Sequence, residues 1–296
     1  MTYSELVKEE PSKSDLVRLT VNGYRREKMP QHNHGIITVC SGKGGAGKTT
    51  SALAIAGGLK VLGAPPDALL DLDYGASATR AYGYQPATPF SEALMDGRIE
   101  FEAALHETEE GVPLVPATAA LASVDKGKMR AWRDRLIELG RAHLLIIDTS
   151  DDILSAPVAA AILAADILAI PVPLSKKAYE RTYPEIGGLL RSFDREPEHV
   201  WFGTMVDQRT SLSRHVLRMI AEDGVELAGL IPKGIAIEEA DFKAVSVVAG
   251  DPKSKAALAY VELSATIYAR LRRLTGASPR ADLGRQTREL PAAVNG

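Results

Sequence analysis

The sequence predicts an α/β fold: a single domain with a mostly parallel sheet covered by helices on both faces. Three observations predict it. Short aliphatic runs recur along the 296 residues. Helix-length segments separate most of them. A glycine-rich loop, SGKGGAGKTT, lies between the first run and the first helical segment. Apolar strands joined by helical crossovers form parallel sheets buried on both sides.

The runs, in order, are GIITVC (35–40), DALLDLD (67–73), VPLVPA (112–117), HLLIIDT (143–149), DILAIPV (166–172), VWFGTMV (200–206) and ELAGLIP (226–232). Segments such as TTSALAIAGGLKVLG and KGKMRAWRDRLIELG carry the helices between them. No repeat or low-complexity linker interrupts residues 35–275, so these form one domain. Residues 1–34 are polar and read as a partly ordered N-terminal arm. Residues 276–296 read as a flexible tail. Net charge is −3, which points to neither nucleic acid nor an acidic partner, although residues 200–296 are slightly more basic than the rest. The single cysteine, Cys40, excludes an internal disulfide and reads as a packed strand residue. The acidic, polar N-terminus is unlike a signal peptide, no apolar run has the length of a membrane span, and a cytoplasmic location is expected.

The loop follows a strand and opens a helix, the context that a phosphate-binding loop requires. Its pattern is G-x-x-x-x-G-K-T, with Gly42, Gly47, Lys48 and Thr49 at the required spacing. The backbone of Gly42, Lys43, Gly44, Gly45, Ala46 and Gly47 can wrap phosphate oxygens with N–H groups pointing inward. The helix that follows adds its positive end. Lys48 is expected to reach the β- and γ-phosphates, Thr49 to hold Mg²⁺, and Thr50 to meet the α-phosphate. The domain is therefore expected to be a P-loop NTPase that binds a nucleotide with Mg²⁺. Lys43 is a second lysine that a plain phosphate loop does not need.

KGGAGKTT resembles the deviant Walker A motif of the ParA/MinD family of ATPases. The resemblance implies that Lys43 crosses a dimer interface to the partner's nucleotide, coupling ATP binding to homodimerisation and assisting hydrolysis. LLDLDYGASATR (69–80) resembles the family's switch I segment. Asp73 takes the position implied to orient the attacking water, and Asp71 a supporting one near the metal. Tyr74-Gly75 stands where Pro-Gln is common, and a looser backbone is expected there. HLLIIDTSDD (143–152) resembles Walker B, with Asp148 implied to hold Mg²⁺ through a water. Ser150-Asp151-Asp152 replaces the usual prolines, and the two added carboxylates are expected to cap the next helix.

TMVDQRTSLSRHVL (204–217) and LIPKGIAIEEADFKAVSVVAGDPKSKAALAYVEL (230–263) are similar to the ParA branch. The first of these and the start of the second imply base contacts at Asp207 and Pro232. The resemblance spans about residues 35–275. It implies an ATP-bound sandwich dimer on non-specific DNA, hence nucleoid association, released when a ParB-like partner stimulates hydrolysis. Arg209 matches a DNA-contacting position, whereas Ala236 stands where a second arginine is usual. Lys233, Lys253, Lys255, Arg270, Arg272 and Arg273 are the remaining candidates for a DNA patch. Residues 276–296 lack an amphipathic membrane helix, which argues against membrane recruitment. The alternatives are an ATPase of this kind that positions a protein cargo, and an ATP-dependent small-molecule ligase or synthetase.

Overall fold

All seven predicted strands form, and all strand-to-strand pairings are parallel; β3 also makes one isolated antiparallel bridge, between Leu114 and His106. The computed structural model describes residues 34–175, 197–207 and 210–276, with Pro184, Ile186 and Gly188 between them. The expected N-terminal arm and C-terminal tail lie outside the described residues, apart from His34 and Gly276. The strands are β1 (Gly35–Val39), β2 (Ala68–Leu72), β3 (Leu114–Val115), β4 (Leu144–Thr149), β5 (Ile167–Pro173), β6 (Glu198–Val206) and β7 (Leu227–Pro232). Their order in the sheet is β3-β2-β4-β1-β5-β6-β7. β3 is much shorter than the run 112–117. Pro113 and Pro116 flank it, and neither has an N–H to give a ladder.

The helices are α1 (Lys48–Val61), α2 (Ser77–Ala81), α3 (Phe90–Met95), α4 (Phe101–Ala104), α5 (Met129–Ala142), α6 (Ala156–Ala164), α7 (Ser211–Glu222), α8 (Ile235–Phe242), α9 (Val247–Gly250) and α10 (Lys255–Gly276). Alternate residues of a strand face opposite ways, and the core follows that rule. Ile37 and Val39 pack with α1, α9 and α10. Ile36 packs with Trp132, Leu136 and Ala160 of α5 and α6 on the other face.

Two glycines set how closely α1 lies under its neighbours. A Cβ on Gly58 would stand 2.3 Å from Ser264 Oγ of α10. A Cβ on Gly57 would stand 2.4 Å from Glu110 Oε1 and 2.7 Å from Ser246 Oγ. The buried Glu110 carboxylate accepts from Ser246 N at 2.8 Å and Ser246 Oγ at 2.5 Å. Ser51 Oγ and Tyr260 Oη, 2.9 Å apart, tie the first turns of α1 to α10. Leu271, near the far end of α10, lies against Gly35 at the opposite edge of the sheet. The phosphate-loop helix is thus fixed along its length.

Register then assembles the site. Val39 pairs with Asp148, and Asp148 pairs with Asp71. Three strand ends therefore deliver the glycine loop and two carboxylates to one point on the sheet edge.

Candidate functional site

The loop from Ser41 to Gly47 turns back on itself through two residues in the left-handed region, Gly45 at φ +71° and Gly47 at φ +87°. A side chain at either position would be strained. Thr204 of β6 anchors the loop by donating its hydroxyl to the Ala46 carbonyl at 3.0 Å. α1 begins without a side-chain cap and without an acidic residue in its first turn. Its leading N–H groups face the loop as an anion-binding end. Lys48 is only 8% exposed and donates to the Lys43 carbonyl at 3.3 Å. Its ammonium therefore folds back over the loop. Burial pushes the Cys40 thiol up to about 12, with Lys48 acting weakly the other way. A thiol so held stays protonated, and Cys40 is a packing residue.

Asp71, fully buried, is occupied by its own segment. It accepts from Asp73 N at 2.9 Å, Thr79 N at 2.8 Å and Thr79 Oγ1 at 2.7 Å. Burial raises its pKa to about 6, against the opposing pull of the two Thr79 bonds. Asp73 accepts from Gly75 N at 2.9 Å and from the Ser77 hydroxyl. Ala76, just before α2, sits at φ +50° inside this hydrogen-bonded turn. Tyr74 and Gly75, where a looser backbone is expected, lie within a turn whose N–H groups are held by the Asp71 and Asp73 carboxylates.

Asp148 differs. Its Oδ1 accepts from Thr149 N at 3.1 Å, while its buried Oδ2 has no hydrogen-bond partner among the described residues. Burial raises its pKa well above the ordinary value, Asp71 adds to the rise, and the Thr49 hydroxyl opposes it. A buried carboxylate oxygen left open beside a threonine hydroxyl is the donor set of a divalent cation. The residues present therefore fit Mg²⁺.

The two added carboxylates do not act together as a cap. Asp152 Oδ1 accepts from Leu154 N at 3.2 Å, a local turn, and Ser155, at the cap position of α6, donates its hydroxyl to the Asp152 carbonyl at 2.8 Å and does not cap the helix. Asp151 points elsewhere. Tyr74 Oη donates to its Oδ1 at 3.4 Å, and its Oδ2 lies where a Cβ on Gly44 would come within 3.0 Å. Sequence reasoning did not place Asp151 in the site, and its only signal was that the residue replaces an expected proline.

A family model described as an AAA domain matches residues 34–182. The chromosome-partitioning ATPase Soj of Thermus thermophilus is 29% identical over 248 residues, 79% of this chain and 96% of Soj. The chain belongs to the ParA/MinD family of P-loop ATPases. Within that family, the septum site-determining protein MinD of Pyrococcus horikoshii, complexed with Mg-ADP, superposes with a TM-score of 0.65 at 21% identity. The match covers 79% of this chain and 95% of MinD. Cobyrinic acid a,c-diamide synthase of Mycobacterium smegmatis, with bound ADP and magnesium, gives 0.64 at 25% identity over 83% of this chain and 97% of the synthase.

The remaining family-implied residues fall into two groups. Asp207 and Pro232 close β6 and β7, whose last residues pair as Val206 with Pro232, so both lie on the loop's edge of the sheet. A cavity of about 470 Å³ opens beside Thr49 and Thr50, lined also by Arg80 and Asp241, and neither Asp207 nor Pro232 lines it. Lys233 follows β7, and Lys253 and Lys255 stand at the start of α10, all exposed on the nucleotide side. Arg270, Arg272 and Arg273 stand at the other end of that 22-residue helix, about 25 Å away at 1.5 Å per residue. Arg270 is paired with Glu198 at 3.3 Å. The structure does not bring these two basic groups together. Arg209 lies outside the described residues. Among the described residues no helix is long and apolar enough to cross a membrane.

Proposed function

We propose that this chain is a ParA-type ATPase that binds ATP with Mg²⁺ and uses slow hydrolysis to time its release from DNA. The observation that carries the nucleotide reading is the unpartnered Asp148 Oδ2 beside Thr49, at the mouth of an uncapped phosphate-loop helix. Thr49 and Asp148 would hold Mg²⁺, which shields phosphate charge when bound. Gly42 to Gly47 and Thr50 would bind the phosphates by backbone and hydroxyl donors. Lys48 would serve the β- and γ-phosphates from its place beside the Lys43 carbonyl. Asp73, fixed by Gly75 N and Ser77, would orient the attacking water. Asp71, whose oxygens are already engaged, would shape that turn. Asp207 and Pro232 would flank the base.

The partition reading rests on relatives such as Soj and on Lys43. In it, ATP brings two copies together and Lys43 of each reaches the nucleotide of the other. The dimer then holds non-specific DNA, and a ParB-like partner stimulates hydrolysis and release. On this edge of the sheet Lys233, Lys253 and Lys255 would supply phosphate contacts, whereas Arg270 and Arg273 stand apart from them. The likeness to cobyrinic acid a,c-diamide synthase, together with the cavity beside Thr50, supports a second reading as a small-molecule ligase.

One experiment separates them. Binding to non-specific duplex DNA is measured with ATP, ADP and no nucleotide, for wild type and Lys43→Ala, at two salt concentrations. ATP-dependent binding that weakens with salt and disappears in Lys43→Ala supports partition. Hydrolysis without DNA binding in any state moves the ligase reading to first place.

A further inference from the structure

Two of the places where the sequence departs from its family touch each other. Tyr74 stands beside Gly75 where Pro-Gln is common after β2, and Asp151 replaces a proline after β4. Although 77 residues apart, they are joined by the bond from Tyr74 Oη to Asp151 Oδ1 at 3.4 Å. The other Asp151 oxygen rests on the phosphate loop at Gly44, a position a Cβ could approach only to 3.0 Å. Tyr74 is 42% exposed, and the Asp151 charge is the first cause of its raised pKa, with partial burial second. Tyr74 therefore acts as a neutral donor to a carboxylate.

Gly44 lies at a definable end of the loop. A phosphate-loop lysine reaches the β- and γ-phosphates. Here Lys48 directs its ammonium to the Lys43 carbonyl, the peptide that leads into Gly44. The Lys43–Gly44 peptide thus marks the terminal-phosphate end, and Asp151 places a negative group there.

We propose that Asp151 is a specificity-determining residue that discriminates ATP from ADP, with Tyr74 as its positioning residue. Held by Tyr74 over Gly44, the carboxylate opposes a third phosphate by like charge and leaves a diphosphate almost unaffected. Binding of ATP breaks the Tyr74–Asp151 contact, and the segments that follow β2 and β4 are released together. A site reset in this way favours the ADP state after each turnover. The inference rests on the nucleotide-binding reading above.

The test is calorimetric titration with Mg²⁺-ADP and with the Mg²⁺ complex of a β,γ-imido analogue of ATP, on wild type, Asp151→Asn, Tyr74→Phe and the double variant. Asp151→Asn tightens analogue binding about tenfold, the scale of one close charge contact at a partly exposed site, and changes ADP binding less than twofold. Tyr74→Phe shifts the ratio of the two affinities the same way by a smaller factor, and adds nothing in the Asp151→Asn background. Asp151→Ser, which also lacks the charge, repeats the Asp151→Asn result and guards against a folding defect in one variant. Equal or weaker analogue binding by Asp151→Asn overturns the proposal, as do fully additive effects of the two substitutions. Wild type that binds neither nucleotide removes the underlying functional reading instead.

Discussion

The ends of β2 and β4 carry buried aspartates that face each other in register, yet the two are used in opposite ways. Asp71 spends both oxygens on its own chain, on Asp73 N and on Thr79. Asp148 leaves Oδ2 open in an equally buried place. An unpartnered buried carboxylate is costly, and proteins retain one where something else completes it. The comparison teaches that similar chemistry at neighbouring strand ends is divided between holding the site's shape and holding its metal.

The largest expected effect comes from breaking the open member. Asp148→Asn should lower Mg²⁺-dependent ATP hydrolysis at least ~100-fold, the range in which metal-site substitutions act. The thermal midpoint of the metal-free protein should stay level or rise, because an unpaired buried charge is removed. A phosphate-release assay beside a melting curve checks both parts, and a lower midpoint would contradict the division. Asp71→Asn should do the reverse, costing about 2–3 kcal/mol of stability through lost charge-assisted hydrogen bonds. Denaturant unfolding measures it, and a loss no larger than that of Asp148→Asn would erase the contrast.

The pH dependence sharpens the same comparison. Both aspartates have folded pKa values above the ordinary 3.8, Asp71 at about 6. The folded state therefore holds their protons more tightly than the unfolded state. The stabilising contribution of Asp71 is complete below pH ~4 and is lost as pH rises through about 6, and that of Asp148 is lost in the same direction. Metal-free protein should lose stability across that window, and Mg²⁺ with ADP should flatten the loss. Melting curves between pH 4 and 7.5, with and without Mg²⁺-ADP, decide the matter. The smallest effect expected is that of Ser77→Ala, which removes one donor to Asp73. About 1 kcal/mol of stability is lost, and hydrolysis falls further than nucleotide affinity, which steady-state kinetics can separate.

Much of this arrangement was legible in the sequence. The seven aliphatic runs gave the strands because a strand buried on both faces must be apolar throughout. Gly42 to Thr50 gave the loop because its chemistry is local: glycines for the turn, then a lysine and a threonine at the helix start. Strand ends bearing Asp71, Asp73 and Asp148 followed from the same runs. Other features were not legible. The shortness of β3 depended on two prolines meeting an edge position. The Gly57-Gly58 pair in α1 shows its purpose only when Ser264 and Glu110 arrive from elsewhere in the chain. Asp151 read as a helix cap, which its spacing permits, and instead turned toward Gly44 and Tyr74. The basic residues of α10 read as one group and are split along the helix.

The sequence by itself determined the architecture and the phosphate loop, since hydrophobic period and loop composition act over a few residues. Only the tertiary structure decided which carboxylate stays open, which tyrosine meets Asp151, and which cations share an edge. Those outcomes depend on strand register and helix direction, which bring together residues far apart in the chain, 77 positions for Tyr74 and Asp151, and leave no mark on local sequence.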